Sequence, residues 1–336
     1  MPIIATIVIP CRNEEKYIAI CLDSLEKQSF PKESMEVIVV DGMSKDGTRS
    51  IVAGYERRCP WVKMMDNPLM TTPCAFNIGI KAARGECIMI MGAHAEYPRD
   101  YISKCVAALK SSGADNVGGM LMVKTMADTL TAKAIVFSLS SLFKSRRLDE
   151  SVNRPFIEVD TVFGGCYKKD VFKRVGMFNE GIVRHQDMEF NMRLKKSGGR
   201  ILMFPDIKSC YYAKSSFKEL AKHEFSDGMW VVYMIKFAKF PSKFRHYLPF
   251  LFILGAFSLA ILSFIWWPFV VLLAILGAVY FAANLNFAAR IAAREKNPAY
   301  IFLIPLAFTV RYFGFGLGSI MGVARLFIPP RRKIKY

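Results

Sequence analysis

The feature that most constrains the fold of this chain is the segment 248–287, which contains no charged side chain. Its two apolar stretches, residues 248–266 and 268–287, would each be about 30 Å long as a helix, which is enough to cross a lipid bilayer. The alternative is a pair of buried core helices, but their joint lacks a polar cap, and its Trp266 and Trp267 suit a membrane interface. We therefore predict a transmembrane helical hairpin over residues 247–288.

Charge on either side of the hairpin predicts its orientation. Lysine and arginine are concentrated on both flanks and are absent from the turn: Lys236, Lys239, Lys243, Arg245, Arg290, Arg294 and Lys296. Because basic flanks stay on the cytoplasmic side, we expect a multi-pass protein of the plasma membrane or cell inner membrane with a cytoplasmic N-terminal domain. The net charge of +18 suits an anionic membrane surface and an anionic substrate. The predicted spans argue against nucleic acid as the partner.

Cysteine usage agrees with a cytoplasmic domain. All 8 cysteines precede residue 211 and none belongs to a C-x-x-C pair. We therefore expect reduced packing thiols rather than a disulfide or zinc framework.

A third apolar segment, residues 298–328, precedes a basic tail at 329–336. It contains Pro305 and Arg311, and it could span the membrane, re-enter it or lie at its interface. A third span would carry the basic tail to the far side, so the charge pattern favours the re-entrant or interfacial form. Glycine recurs at every fourth position, a spacing that permits close helix contact in lipid: Gly314, Gly318 and Gly322.

Residues 216–246, which precede the hairpin, combine apolar, aromatic and basic side chains. Such a mixture predicts amphipathic helices at the membrane interface, where aromatics lie at headgroup depth beside lysines. The alternative is an ordinary amphipathic helix packed on the soluble domain. The residues concerned are Phe217, Leu220, Ala221, Phe225, Trp230, Tyr233, Phe237, Phe240, Phe244 and the four basic residues from Lys236 to Arg245.

The N-terminal residues 1–215 alternate strand and helix patterns. Strands are predicted at 5–10, 36–40 and 86–91, and helices at 14–28 and 70–83. This alternation predicts an α/β domain with a mostly parallel sheet and helices on both faces. Ligands bind beyond the carboxyl ends of such strands, so we expect residues 10–14, 41–46 and 92–96 to share one rim.

Five sequence blocks in this region resemble a known family. They are IPCRNEEKYIAICLDSLEKQ, VIVVDGMSKDGT, FNIGIKAARGECIMIMGAH, VFGGCYKKDVFKRVGMFNE and HQDMEFNMRL, and they occur in the order and spacing of family 2 glycosyltransferases. The resemblance covers roughly residues 4–225 and implies the GT-A fold, a Rossmann-like nucleotide-sugar-binding domain. The segments AHAEYPRDY and YFGFGLGSIMG look like the membrane-attached branch of succinoglycan and exopolysaccharide type.

The resemblance implies a donor site for a nucleotide sugar, with UDP as the expected nucleotide. Asp41 would accept a hydrogen bond from the uracil imide, since a carboxylate can only accept there. Its alternative role is a helix N-cap, which Ser44 and Asp46 can supply instead. Asn77 would reach the diphosphate or sugar, or serve as a structural amide. The expected donor-binding residues are Pro10, Arg12, Glu14, Asp41, Ser44, Asn77, Ala93 and His94.

The family's D-x-D metal motif is altered in this chain. Gly92 stands in the place of the first acid and His94 in that of the second, which is the family's direct metal ligand. Imidazole is a good ligand for manganese-like ions, so we expect His94 to bind Mn²⁺ or Mg²⁺, with Glu96 assisting through water. The alternative is a neutral His94 that hydrogen-bonds the diphosphate.

The block HQDME stands where the family has its catalytic acidic pair. An inverting transfer needs the acceptor hydroxyl deprotonated during attack, and Asp187 is the expected general base. Glu189 lies two residues further on a helix, so it does not share a face with Asp187. Arg193 is expected to hold this helix by a salt bridge. The expected acceptor-binding residues are Gly164, Gly165 and Gln186; the alternative for the glycine pair is a simple turn.

These features predict an inverting hexosyltransferase that moves a sugar from a UDP-sugar to a polyprenyl-diphosphate-linked saccharide at the cytoplasmic membrane face, for exopolysaccharide or other surface glycan assembly. An acceptor hydroxyl needs a general base to remove its proton. An anionic lipid phosphate has little need of one, because it is already deprotonated. The alternatives are a polyprenyl-phosphate glycosyl synthase, which uses the bare lipid phosphate, and a non-catalytic scaffold that binds nucleotide sugar.

Overall fold

The first parallel strands form where β-branched residues run without interruption. β1 (Ala5–Cys11) and β2 (Met35–Asp41) are buried on both faces, which explains why their centres, IVI and VIVV, are apolar without alternation. The computed structural model describes residues 1–151, 154–238 and 244–328, without the side chains of 141–151 and Arg245. The chain divides into two compact units: unit 1 contains residues 1–122 and 146–212, and unit 2 contains residues 123–145 and 213–336.

The described residues form nine strands in a single sheet. After β1 and β2 they are β3 (Val62–Asp66), β4 (Cys87–Ile90), β5 (Ala95–Glu96), β6 (Asn116–Lys124), β7 (Ile157–Glu158), β8 (Phe163–Lys168) and β9 (Ile201–Tyr212). The α-helices are α1 (Ile18–Glu26), α2 (Thr48–Arg58), α3 (Thr72–Ala82), α4 (Tyr101–Ser112), α5 (Leu130–Ser151), α6 (Val171–Arg174), α7 (Gln186–Lys196), α8 (Phe217–Tyr233), α9 (Leu248–Leu262), α10 (Pro268–Arg294) and α11 (Tyr300–Leu326).

The sheet has the order β3-β2-β1-β4-β8-β6-β9-β5, with β7 paired to β9. It is parallel from β3 to β4, and β8 then runs antiparallel to β4. The register pairs Cys11 with Asp41 and Val8 with Ile90, so the carboxyl ends of β1, β2 and β4 meet at one edge, as predicted. Because Met89 pairs with Cys166, the start of the antiparallel β8 lies at this same edge.

Helices cover both faces of the sheet. Alternate β1 residues belong to different cores: Ile7 and Ile9 pack with α1, α2 and α4, whereas Val8 packs with α3 and α7. The fold class is therefore the predicted α/β class. All 8 cysteines are free, and all are buried except Cys210, which is half-buried.

Unit 2 contains the apolar helices. α10 and α11 are long and apolar enough to cross a membrane, judged by length and composition. The predicted first span at 248–266 is shorter than expected, because α9 ends at Leu262 after 15 residues. Its exposed turn carries Phe264, Ile265, Trp266 and Trp267. Lys239, Phe240, Lys243, the side chain of Arg245 and the predicted basic tail lie outside the described residues.

Candidate donor and acceptor site

Asp41 ends β2 as a fully buried carboxylate with several donors around it. Its oxygens accept hydrogen bonds from the Ser44 amide (3.0 Å) and hydroxyl (2.5 Å), and from the Arg49 guanidinium (2.6 Å). Burial alone would raise the pKa of Asp41, but these hydrogen bonds and the Arg49 charge hold it below its ordinary value. The carboxylate therefore organises the loop after β2.

A second loop follows β1 and is tied to the first. Pro10 pairs with Val40 inside the sheet. The Asn13 amide donates to the Ser44 hydroxyl at 2.8 Å, and the Glu14 amide donates to the Thr48 hydroxyl at 2.7 Å. Arg12 is exposed, and its side chain lies over Gly42, where an added Cβ would be 3.2 Å from Arg12 Cβ. The aliphatic part of an exposed arginine therefore lies beside the ends of β1 and β2.

His94 lies beyond the end of β4, on the segment that continues into β5. Its Nδ1 is 3.4 Å from Glu14 Oε1, which brings two predicted donor residues together. The imidazole also packs edge-on against Tyr211 at 5.2 Å between ring centroids and against Tyr17 at 6.4 Å. The preceding residue, Ala93, is buried. The ring is therefore fixed by a carboxylate and two aromatic side chains, with 34% of its side chain exposed.

Gly92, in the place of the first D-x-D acid, has a structural neighbour on β8. An added Cβ at Gly92 would be 3.4 Å from the Phe163 ring, so the ring lies against the position where an acid would begin. The Gly92 amide donates to the Tyr97 hydroxyl at 2.9 Å. Both contacts fix the strand end that leads to His94.

Asn77 has the structural role that we gave as its alternative. Its Nδ2 donates to the Phe178 carbonyl and to Glu180 Oε1, both at 2.9 Å, and its Oδ1 accepts from the Phe178 amide at 3.0 Å. The side chain is buried, with 4% of the residue exposed. These contacts hold α3 to the loop after α6, and they leave little capacity for a diphosphate.

Gly164 and Gly165 lie inside β8 rather than in a simple turn. The pairing of β6 with β8 is irregular here, since its register shifts between Val117 and Gly119. Gly164 has a φ of +64°, which favours glycine. An added Cβ would be 2.6 Å from the Tyr101 hydroxyl at Gly164 and 2.7 Å from Asn116 Oδ1 at Gly165. Protein atoms therefore occupy the positions where side chains at residues 164 and 165 would begin, so glycine is needed here for packing.

Asp187 lies in the first turn of α7 and is exposed. One turn further along the helix, Asn191 accepts from the Tyr167 hydroxyl (3.1 Å) and donates to the Thr161 hydroxyl (2.9 Å), which ties α7 to β8. Burial raises the pKa of Tyr167, and the nearby negative charge of Asp187 raises it further. The Oε1 of Gln186 is buried without a hydrogen-bond partner among the described residues.

The ion pair expected at Arg193 forms within α7. Its Nε and Nη2 donate to the two oxygens of Glu189 at 2.7 and 2.9 Å, and its other contacts are the carbonyls of Val175 and Met177. Glu189 is thus a buried partner of Arg193, and Asp187 is the exposed acid of the block.

A metal ion would have a limited set of protein ligands here. Among the described residues, no group of three or more His, Cys, Asp or Glu side chains is arranged to hold one. Glu96, expected to assist, accepts from the Tyr212 hydroxyl at 2.9 Å. His94 beside Glu14 is still a fitting donor set for a cation that takes its remaining ligands from a diphosphate and water. A metal-bound histidine commonly donates its other ring N–H to a carboxylate, as the geometry at Glu14 allows.

Sequence reasoning missed several residues of this region. Arg49 forms ion pairs with both Asp41 and Asp66. In the sequence, this arginine could have been noticed because it lies between two strands that each end on an aspartate. Tyr97, Tyr101 and Phe163 gave no signal of their own, because aromatic side chains in an α/β domain ordinarily belong to the core.

An α/β sheet with linked polar loops at the carboxyl ends of its parallel strands is typical of nucleotide-binding α/β proteins. The family model described as Glycosyl transferase family 2 matches residues 6–176, about half of the chain, so the chain belongs to this family of glycosyltransferases, which use nucleotide sugars.

Relatives extend the likeness over almost the whole chain. The chain is 28% identical over 327 residues to the dolichyl N-acetyl-alpha-D-glucosaminyl phosphate 3-beta-D-2,3-diacetamido-2,3-dideoxy-beta-D-glucuronosyltransferase of Methanococcus voltae, which covers 94% of this chain and 97% of that one. It is 28% identical over 295 residues to the succinoglycan biosynthesis protein ExoA of Rhizobium meliloti, covering 87% of each. These relatives agree with an exopolysaccharide-type enzyme.

A solved structure shows the same GT-A fold. The mannosyltransferase PcManGT from Pyrobaculum calidifontis, in complex with GDP-Man and Mn²⁺, superposes with a TM-score of 0.60 at 18% identity, over 96% of this chain and 89% of that one.

Proposed function

We propose that this glycosyltransferase transfers a sugar from UDP-sugar, with inversion, to a polyprenyl-diphosphate-linked saccharide at the cytoplasmic membrane face, for surface glycan assembly. The observation that carries the proposal is the exposed Asp187 on a helix tied to β8, which is the strand that starts at the same edge of the sheet as the predicted donor loops. An exposed carboxylate at this position is available to take a proton from an acceptor hydroxyl.

The donor side is supported by exposed positive charge and a fixed imidazole. Arg12 and His94 would interact with the diphosphate, while Ser44 and the main chain of residues 10–14 would frame the nucleotide. Asp41 would support the site indirectly by holding Ser44 and Arg49 in place, and the buried Ala93 by its packing. Asn77 and the two glycines would then act through their packing.

In the proposed reaction, Asp187 accepts the proton of the acceptor hydroxyl as its oxygen attacks the anomeric carbon. The bond to the diphosphate oxygen breaks on the opposite side, so the configuration inverts and UDP leaves with the bond's electron pair. Arg12 stabilises the negative charge that develops on the leaving group. A divalent metal bound by His94 beside Glu14 would add charge neutralisation there.

Two features support a lipid-linked saccharide as the acceptor: the name of one relative and the presence of Asp187 as a candidate general base. The Methanococcus voltae protein is named for transfer to a dolichyl N-acetylglucosaminyl phosphate, a lipid-linked sugar. A sugar hydroxyl needs a base, whereas a bare lipid phosphate is already an anion. Both features favour a lipid-linked saccharide over the polyprenyl-phosphate synthase alternative.

The test uses the purified full chain in detergent, a panel of UDP-sugars and lipid-linked saccharide acceptors. Asp187→Asn should lower kcat by at least about a hundredfold, the usual scale for loss of a general base, while UDP binding by calorimetry is retained. The matched control is Asp206→Asn, an exposed aspartate whose side chain is 66% accessible, which should transfer at the normal rate.

Three other results would count against the proposal. Unchanged transfer by Asp187→Asn would show that Asp187 is not the general base. Efficient transfer to bare polyprenyl phosphate, insensitive to Asp187→Asn, would favour the synthase. Failure of the unaltered chain to hydrolyse or transfer any UDP-sugar that it binds would favour the scaffold.

A further inference from the structure

Arg311 is a charged residue near the middle of the apolar helix α11, and unit 2 gives it two partners. Its Nε donates to Glu224 Oε1 of α8 at 2.8 Å, and its Nη1 donates to the Ser138 carbonyl of α5 at 2.7 Å. The side chains of Arg311 and Glu224 are only 11% and 10% accessible. This buried ion pair fixes the middle of α11 beside α8.

The glycine repeat of α11 forms the rest of this contact. An added Cβ would be 3.3 Å from the Ala221 carbonyl oxygen at Gly314, 2.0 Å from that of Phe225 at Gly318, and 2.5 Å from that of Met229 at Gly322. Each step of four residues on α11 meets a step of four on α8. The two helices therefore run side by side in the same direction.

The contact continues to the carboxyl end of α11. The Ser319 hydroxyl donates to the Gly228 carbonyl at 3.1 Å, and Lys236 Nζ donates to the carbonyls of Leu326 and Ile328 at 3.1 and 2.8 Å. The whole second half of α11 is thus at the level of α8 and the short 3₁₀ turn after it.

The remainder of α8 is too polar for the interior of a bilayer. Lys218, Glu219 and Lys222 are exposed, and His223 Nδ1 is 3.3 Å from Asp227 Oδ2. If α11 crossed a membrane, these side chains would lie at hydrocarbon depth beside its middle. Ionisable groups there are costly unless they face protein or a water-filled cavity, and exposed groups do neither.

The opposite side of α11 is an apolar stripe exposed along the whole helix. Its residues are Phe302 (77% exposed), Leu306 (46%), Phe313 (43%), Leu317 (42%), Ile320 (39%) and Phe327 (85%). Their spacing repeats every three, four or seven residues, which puts them on one face. The first half of α11 runs antiparallel beside the apolar helix α10: its start clusters with Ile291 and Ala292, its Phe308 packs on Phe287, and its Tyr312 packs on Tyr280. The stripe is therefore continuous with a helix long and apolar enough to enter a bilayer.

We propose that α11 lies along the surface of a lipid bilayer without crossing it, with its apolar stripe among the upper acyl chains and its glycine face covered by α8. The occupant of the stripe is the membrane, because a helix with one apolar side and a polar partner on the other satisfies both solvents at an interface. Both ends of α11 then lie on the same side.

Thiol labelling of the full chain in sealed membrane vesicles tests the topology. In a Cys210→Ser background, where the remaining native cysteines are buried, Glu295→Cys and Tyr336→Cys place reporters before and after α11. A membrane-impermeant maleimide should label both reporters in vesicles of one orientation and neither in the other. Detergent should expose both everywhere. Labelling from opposite sides would show that α11 spans and would overturn the proposal.

Spin labels on the stripe distinguish an interfacial helix from a re-entrant one. Leu306→Cys, Phe313→Cys, Leu317→Cys and Ile320→Cys carry the label at exposed positions, so folding is little affected. The accessibility ratio of oxygen to a water-soluble nickel complex should be the same at all four, within about twofold, because a helix parallel to the surface has one depth. A ratio that peaks in the middle or rises toward one end would contradict the proposal.

Discussion

Two buried tyrosines connect the strand end that carries His94 with the strand that carries Gly164. The Tyr97 hydroxyl accepts from the Gly92 amide at 2.9 Å, and the Tyr101 hydroxyl donates to the Gly164 carbonyl at 2.9 Å. Their rings are 5.0 Å apart and almost fully buried. At the scale of single residues, this pair fixes the backbone that carries His94, the residue proposed to interact with the diphosphate.

Tyr97→Phe should lower the free energy of unfolding by about 1–3 kcal/mol, because the Gly92 amide loses its partner in a part-buried position. Thermal unfolding of the detergent-solubilised chain measures this. Tyr212→Phe is the matched control, since it removes a hydroxyl bonded to the half-buried Glu96 and should cost less. Equal melting temperatures for Tyr97→Phe and the unaltered chain would refute the assignment.

His94→Gln should weaken Mn²⁺ binding to the UDP-loaded protein by on the order of tenfold or more, because a direct imidazole ligand is lost. Electron paramagnetic resonance titration of free Mn²⁺ reads this out without any turnover. Glu96→Gln serves as the control, since its carboxylate is bonded to Tyr212, and it should leave affinity nearly unchanged. If both variants bind Mn²⁺ like the unaltered chain, His94 is no ligand and acts on the diphosphate by hydrogen bonding alone.

At the scale of elements, α8 and α11 show how glycine controls packing. Gly228 on α8 lies against the Phe315 carbonyl of α11, and Gly318 on α11 lies against the Phe225 carbonyl of α8, so each helix presents its backbone to the other. Ser216 caps α8 by accepting from the Glu219 amide. The helix begins as an amphipathic surface helix does, but its apolar face is covered by α11.

Gly318→Ala should destabilise unit 2 by about 1–3 kcal/mol, the usual cost of overpacking, because its Cβ would lie 2.0 Å from a backbone oxygen that has little freedom to move. Gly277→Ala on α10 is the matched control, since no atom lies within 4 Å of its added Cβ. The melting temperature should fall for the first variant and stay level or rise for the second. A similar change in both would mean that helix propensity, rather than close contact, governs the outcome.

At the scale of the whole molecule, positive charge and apolar surface provide two ways of binding a membrane. The net charge is +18, and α9, α10 and α11 expose many large apolar side chains. Charge attraction is screened within about 3 Å at 1 M salt, whereas apolar burial is not weakened by salt. The two contributions are therefore separable.

The full chain should remain with membranes in 1 M salt and in alkaline carbonate, and only detergent should release it. Sedimentation followed by immunodetection measures this, with a peripheral protein held by charge as the control that salt removes. Release by salt alone would mean that electrostatic attraction holds the protein and that α10 does not enter the bilayer.

The sequence by itself determined the parallel half of the sheet and the apolar half of unit 2. A strand predicted at 36–40 is Met35–Asp41, because the centre of a strand buried on both faces is a continuous apolar run, here VIVV, which is visible without tertiary information. The exposed Asp187 and the Arg193 pairing were also predictable, since helical periodicity separates residues 187 and 189.

Only the tertiary structure decided which polar side chains are available to a ligand. Asn77 is saturated by Phe178, which is 101 residues away in sequence, and Asp41 is enclosed by Ser44 and Arg49. The partners of Asn77 come from a distant part of the chain that local pattern does not encode, and those of Asp41, though near in sequence, depend on how the loop after β2 folds back on the strand end. The same holds for α11, whose length and apolar composition suit a span, and whose buried contact with the charged helix α8 is visible only when the chain is folded.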